Sequence, residues 1–201
     1  MVATIAPMPT THLLYLHGFR SSPQSMKAKK VAARVLAHHP AVTWWCPQLP
    51  PSPRQAMAMV MQGIAGWPRA SMAVVGSSLG GFYATWVAQQ TGCPAVLLNP
   101  AVDPARDLAA YIGEQTAFHH PDERFFFEPV FVDELRALVT GPASDPRNTF
   151  AVIAKGDELL DWREMTGRYP GARIKLLEGS DHALSDFDDH MDAVFDFLDL
   201  A

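Results

Sequence analysis

The chain has little cysteine, no cluster of positive charge and no long apolar run. Cys46 and Cys93 are its only cysteines in 201 residues, and they lack CxxC spacing. That excludes a disulfide framework and leaves two reduced thiols as the expectation. Lys and Arg number 16 against 21 Asp and Glu, with a net charge of −5 and a pI near 5.9. Without a basic stripe, a nucleic-acid partner is not expected. No apolar run approaches the roughly 18 residues of a membrane span. The opening segment, MVATIAPMPTTH, lacks the positive start of a signal peptide. Repeats and low-complexity segments are also missing. What remains is the expectation of a soluble, cytoplasmic protein.

Apolar residues make up 48% of the chain, enough for a full core at this length. HLLYLHGF, from His12, opens on a short apolar run that predicts a buried strand ending at a loop. Met26, Lys30, Val31, Val35 and Leu36 are then spaced for one face of a helix, with Ser25 as N-cap and Pro40 as stop. AVTWWCP predicts a second strand. Met57, Val60, Met61 and Ile64 predict the inner face of a second helix, with methionine as core filler. SMAVVG reads as a third strand, and GGFYATWVAQQTG as a third helix ended by glycine. PAVLLNPAV, NTFAVIAKG and ARIKLLEG predict strands four to six, and DFDDHMDAVFDFLDL a last helix.

Continuously apolar strands alternating with helices predict an α/β fold: a compact, mostly parallel six-stranded sheet with helices on both faces. Residues 101–148 are richer in Pro and Phe and longer than one crossover needs. They predict a small cap inserted between strands four and five. Residues 1–11 read as a flexible tail and 12–201 as one domain.

In such sheets ligands bind beyond the C-terminal ends of the strands. There, VVGSSLGG places two serines between glycines at a strand–helix turn. A tight turn of this kind brings together the residues two before and two after its apex, so both must be small. Ser78 has Gly76 and Gly80 at those places; Ser77 would have Val75 and Leu79. Ser78 is therefore the candidate nucleophile of a Gly-x-Ser-x-Gly turn. A serine hydroxyl needs a base, and the base an orienting acid. His182, in EGSDHALSDF after strand six, and Asp157, in KGDELLDW after strand five, follow in the order Ser, acid, His. The amides of Phe19, in LHGF after strand one, and of Leu79 are candidates for an oxyanion hole.

Taken together, YLHGFRSSPQSMKAKK, PQLPPSP, VVGSSLGGFYATWVA, LLNPAV, KGDELLDWR and EGSDHALSDFDDH resemble the small bacterial YqiA-like esterases (UPF0227) of the α/β-hydrolase superfamily. The likeness runs from His12 to the end of the chain and is weakest over residues 105–148. It implies an α/β-hydrolase fold without the first two strands of larger relatives, in keeping with the six read here. It also implies a Ser78–His182–Asp157 triad and esterase activity on acyl esters or thioesters, with no cofactor.

Rivals exist for several roles. Glu158, Asp161 and Asp103 compete with Asp157 for the acid, and His190 with His182 for the base. His17 reads as a brace for the oxyanion loop. With Arg20 and Ser21 it forms a candidate substrate contact. Phe125, Phe126, Phe127 and Phe131 read equally as core or as acyl pocket. Asp186, Asp188, Asp189 and His190, or His119 and His120, are weak metal candidates beside the bland reading of acids at a helix N-terminus; no metal is expected. The expected activity is that of a serine esterase acting on a small-molecule acyl ester. Acyl-CoA thioesterase action and a non-catalytic hydrolase-fold binder are the alternatives.

Overall fold

The computed structural model describes residues 9–119, 122–142 and 145–200. Its main sheet is formed by β1 (His12–Leu16), β2 (Thr43–Trp45), β3 (Met72–Ser77), β4 (Ala95–Leu98), β7 (Thr149–Ala154) and β8 (Arg173–Leu177). The strand order is β2-β1-β3-β4-β7-β8, and every pairing is parallel. The central strands are buried on both faces, which is why they read as unbroken apolar runs. Alternate side chains divide between two cores. Leu13, Tyr15, Val75, Val96 and Val152 pack against α1 (Met26–His38) and α7 (Asp188–Phe197). Leu14, Leu16, Val74 and Leu97 pack against α2 (Pro53–Gly63), α3 (Leu79–Thr91) and α6 (Trp162–Arg168). Each fully buried aliphatic side chain contributes about 1.5–3 kcal/mol of transfer free energy.

The helix ends follow their sequence signals. Ser25 Oγ accepts from the Ala28 amide, and Ser52 Oγ from that of Gln55 ahead of α2. Gly92 ends α3 at φ +76°. The inner face of α1 differs from the expected one. It consists of Lys27, Ala28, Val31 and Val35, while Met26 and Leu36 are 37% and 76% exposed. The i, i+4 series 27, 31, 35 fixes the stripe, and Leu36 lies about 100° around the helix from Val35.

Between β4 and β7 the chain forms α4 (Pro104–Leu108), a hairpin of β5 (Gly113–Thr116) and β6 (Arg124–Phe127), and α5 (Pro129–Ala137). Phe127 is buried, whereas its neighbour Phe126 points outward and is 54% exposed. The hairpin packs on the loop after β1: the Phe19 ring meets those of Tyr111, Phe125 and Phe127 edge-on. Residues 1–8 of the expected tail lie outside the described residues. Thr10 is buried, and the Thr11 amide donates to the Ser71 carbonyl. No helix among the described residues is long and apolar enough to cross a membrane.

Candidate active site

β3 runs straight into α3 with one residue between them, Ser78, at φ 56°, ψ −122°. A non-glycine residue there is strained, and its neighbours must hold it. The Ser78 amide donates to the Leu98 carbonyl at 3.0 Å, and the Ser78 carbonyl accepts from the Gly81 and Ala101 amides at 2.8 and 3.0 Å. The turn is as tight as the sequence spacing required. A Cβ on Gly76 would lie 2.1 Å from the Gly80 carbonyl oxygen, and one on Gly80 would lie 1.9 Å from that of Leu16.

The loops after β7 and β8 bring Asp157 and His182 to this turn. His182 Nε2 lies 3.1 Å from Ser78 Oγ, and Nδ1 lies 2.8 Å from Asp157 Oδ2. The Asp157 side chain is fully buried, and its Oδ1 accepts from the Leu159 and Leu160 amides at 2.8 Å each. A carboxylate only accepts, so Nδ1 carries the imidazole proton and the Nε2 lone pair faces the serine hydroxyl.

The loop after β1 lies against the same turn. A Cβ on Gly18 would come within 3.2 Å of Ser78 Cβ. His17 is buried and both its ring nitrogens are engaged. Nε2 accepts from the Leu49 amide at 3.1 Å, so Nδ1 bears the proton and donates to the Gly18 carbonyl at 3.0 Å. Burial pushes the His17 imidazole below the usual histidine range. Holding the Gly18 carbonyl also fixes the Phe19 N–H, which points the opposite way from the same planar trans peptide. The Phe19 and Leu79 amides meet no acceptor among the described residues.

Residues 12–199 match the uncharacterised protein family UPF0227. The chain belongs to that family. Solved structures share the fold of this UPF0227 chain at low identity. A protein from Agrobacterium vitis S4, provisionally named a hydrolase, superposes with a TM-score of 0.71 at 16% identity, over 95% of this chain and 91% of its own. A metagenome-derived lipolytic enzyme from work on LipS and LipT gives 0.68 at 16%, over 95% and 94%. The Pyrococcus furiosus esterase Pf2001 gives 0.59 at 16%, over 94% and 80%. The fold is that of the α/β-hydrolases.

Other candidate residues of the UPF0227 chain occupy different places. Asp103 caps α4 through the Arg106 amide, and Asp161 caps α6 through that of Arg163. Glu158 accepts from the His182 backbone amide at 3.0 Å, away from the ring nitrogens. His190, in α7, pairs through Nε2 with Asp186, which lies just ahead of that helix. Among the described residues no three His, Cys, Asp or Glu are grouped to hold a metal; His120 lies outside them. Arg20, by contrast, borders the same cavity as Ser78 and His182 and is held there by the hairpin: Nε donates to the Thr116 carbonyl at 2.7 Å, and the guanidinium lies 4.4 Å from the Phe118 ring centroid. Ser21 lines two cavities that His17 also borders.

Two cavities adjoin Ser78 and His182. One, of about 390 Å³, is bordered mainly by apolar side chains, including Leu79, Leu108, Tyr111, Phe118, Leu159 and Leu160. The other, of about 270 Å³, is bordered by Ser21, Ser25, Lys27 and Ala183. Of the four phenylalanines, Phe127 belongs to the core, Phe125 and Phe131 pack against that core, and Phe126 faces outward.

Two residues that the sequence reading left without a role touch the His182 loop. Asn99, fully buried after β4, donates from Nδ2 to the Asp181 and His182 carbonyls. Lys27, 8% exposed, donates to the Ala183 carbonyl. The signal for Lys27 was its place in the 27, 31, 35 series. That for Asn99 was an amide directly after an apolar central strand.

Proposed function

We propose that the chain is a serine hydrolase that cleaves carboxylic acyl esters. The observation carrying this reading is the continuous relay from Ser78 Oγ through His182 to the buried Asp157 carboxylate, at 3.1 and 2.8 Å. Ser78 Oγ attacks the ester carbonyl carbon while His182 Nε2 takes the hydroxyl proton. Asp157 holds the tautomer and balances the imidazolium that forms. The carbonyl oxygen becomes an oxyanion and receives the Phe19 and Leu79 amides, the latter at the positive end of α3. Collapse of this intermediate expels the alcohol, which takes the proton from His182. Water then enters and attacks the acyl carbon while giving a proton to His182, and collapse of this second intermediate breaks the bond to Ser78 Oγ, which takes that proton back as the acid leaves. The apolar cavity suits the acyl group. The insertion over residues 101–148 acts as a cap on that side of the site. His17 braces the oxyanion loop, and Ser21 borders the substrate. The chemistry draws on no metal or cofactor.

The test is ester turnover with p-nitrophenyl acyl esters alongside acyl-CoA thioesters. Nitrophenol release that starts with a burst of one equivalent per chain and disappears in Ser78→Ala is the expected result. Faster turnover of the thioester would move the substrate class to thioesters with the same chemistry. No turnover and no burst from folded protein would overturn the reading in favour of a binding protein.

A further inference from the structure

We propose that Asn99 and Lys27 are positioning residues for His182: a buried clamp holds the loop carbonyls at 181, 182 and 183, so that the imidazole stands between Ser78 and Asp157. This rests on His182 being the general base of the proposed reaction.

Both residues sit where packing alone would not put them. Asn99 is completely buried and holds a left-handed backbone at φ 41°, a conformation that costs of order 1–3 kcal/mol. Lys27 is buried at the second position of α1, where the helix dipole opposes a cation and an aliphatic residue would serve the inner face better. Its ammonium is pushed down to about 8 by burial. Such features persist when the surroundings over-determine them.

What they hold is specific. Asn99 Oδ1 accepts from the Ala154 amide at 2.8 Å, while Nδ2 donates to the Asp181 carbonyl at 3.0 Å and the His182 carbonyl at 3.3 Å. The partners decide the amide's orientation: an N–H can only donate and a carbonyl can only accept. Ala154 ends β7, three residues before Asp157, and Leu98, before Asn99, receives the Ser78 amide. The Asn99 side chain therefore joins the end of β7, which leads to Asp157, to the loop that carries His182, and the carbonyl of the preceding residue, Leu98, holds Ser78. Lys27 Nζ takes the next carbonyl, that of Ala183, from α1 on the other side of the loop. Glu158 accepts the His182 amide. With the peptide units on both sides of His182 held, only its two side-chain torsions remain, and the Asp157 bond sets them.

The experiment combines Asn99→Leu and Lys27→Met with kinetics and proton NMR. Each variant is expected to lower kcat about 10–100-fold with KM nearly unchanged, the scale expected when a reacting group moves by about 1 Å. Made in a His182→Ala background, the same changes should cost less than about twofold, because they act through the imidazole. Equal losses in both backgrounds would overturn the clamp. The His182 Nδ1–H resonance, assigned by its loss in His182→Ala, reports position without any turnover. It should broaden or shift in both variants. An unchanged resonance in both variants would overturn the clamp whatever the protein does with esters. Absence of ester turnover by the unaltered protein would instead strike the proposed function. Lys27→Met also guards against misfolding, since removing a cation from the start of α1 should not lower Tm at pH 7.

Discussion

Ser78 and Ser77 are adjacent, yet only one stands at the strained apex between β3 and α3. Ser77 ends the strand and is buried, whereas Ser78 meets His182. Ser78→Ala is expected to lower kcat/KM on an acyl ester by about 10⁴-fold or more, and Ser77→Ala by less than about tenfold. Steady-state kinetics on both variants checks this. The same turn carries a stability prediction. Gly80→Ala would drive a methyl group into the Leu16 carbonyl, so it should cost about 3 kcal/mol or more and be read as a large fall in Tm. The relay was legible in the sequence because its parts follow strand ends in a fixed order, and steric room distinguished the serines. The clamp was not legible. Asn99 and Lys27 act through backbone carbonyls, and a carbonyl leaves no trace in residue type.

Among the elements, the central strands were readable because burial on both faces makes them uniformly apolar, while the edge strands β2 and β8 are partly exposed and kept enough apolar residues to be read. Hairpin β5–β6 was not, since GEQT carries no apolar alternation and its partner RFFF has three consecutive phenylalanines. Its place is set by contacts distant in sequence. Arg20 donates to the Thr116 carbonyl, the Phe118 amide donates to the Arg20 carbonyl, and Ser22 Oγ meets His119 Nδ1. Arg20 also stands at φ 58° directly after Phe19. The hairpin and the loop after β1 are thus one mechanical unit. Arg20→Ala removes a charge-assisted bond, on the order of 1.5–3 kcal/mol, so it should loosen this unit and leave the sheet intact. Hydrogen exchange checks this: faster exchange is expected over 113–118 and 124–127, with β3 and β7 unchanged. Likewise, α1 was readable as a helix but not in its rotation, because its inner face includes a lysine.

For the molecule as a whole, the buried His17 links stability to pH. Its folded value lies below the unfolded 6.5, so between the two the unfolded chain binds more protons. This contribution to stability is complete above about pH 6.5 and is lost as pH falls towards the folded value. Charging His17 also turns Nε2 into a donor facing the Leu49 amide. Tm should therefore fall more steeply from pH 7 to pH 5 in the native chain than in His17→Gln, and equal slopes would count against it. The surface ion pairs, such as Arg34–Asp192, are exposed and contribute little.

The parallel sheet brings loops from β1, β3, β7 and β8 to one edge, where we propose that Ser78 is activated. The most direct measurement is treatment of the folded protein with a fluorophosphonate, followed by mass spectrometry of the modified peptide. Stoichiometric labelling at Ser78, lost in His182→Ala, is the expected result. Labelling at another residue, or none on folded protein, would show that Ser78 is not an activated nucleophile.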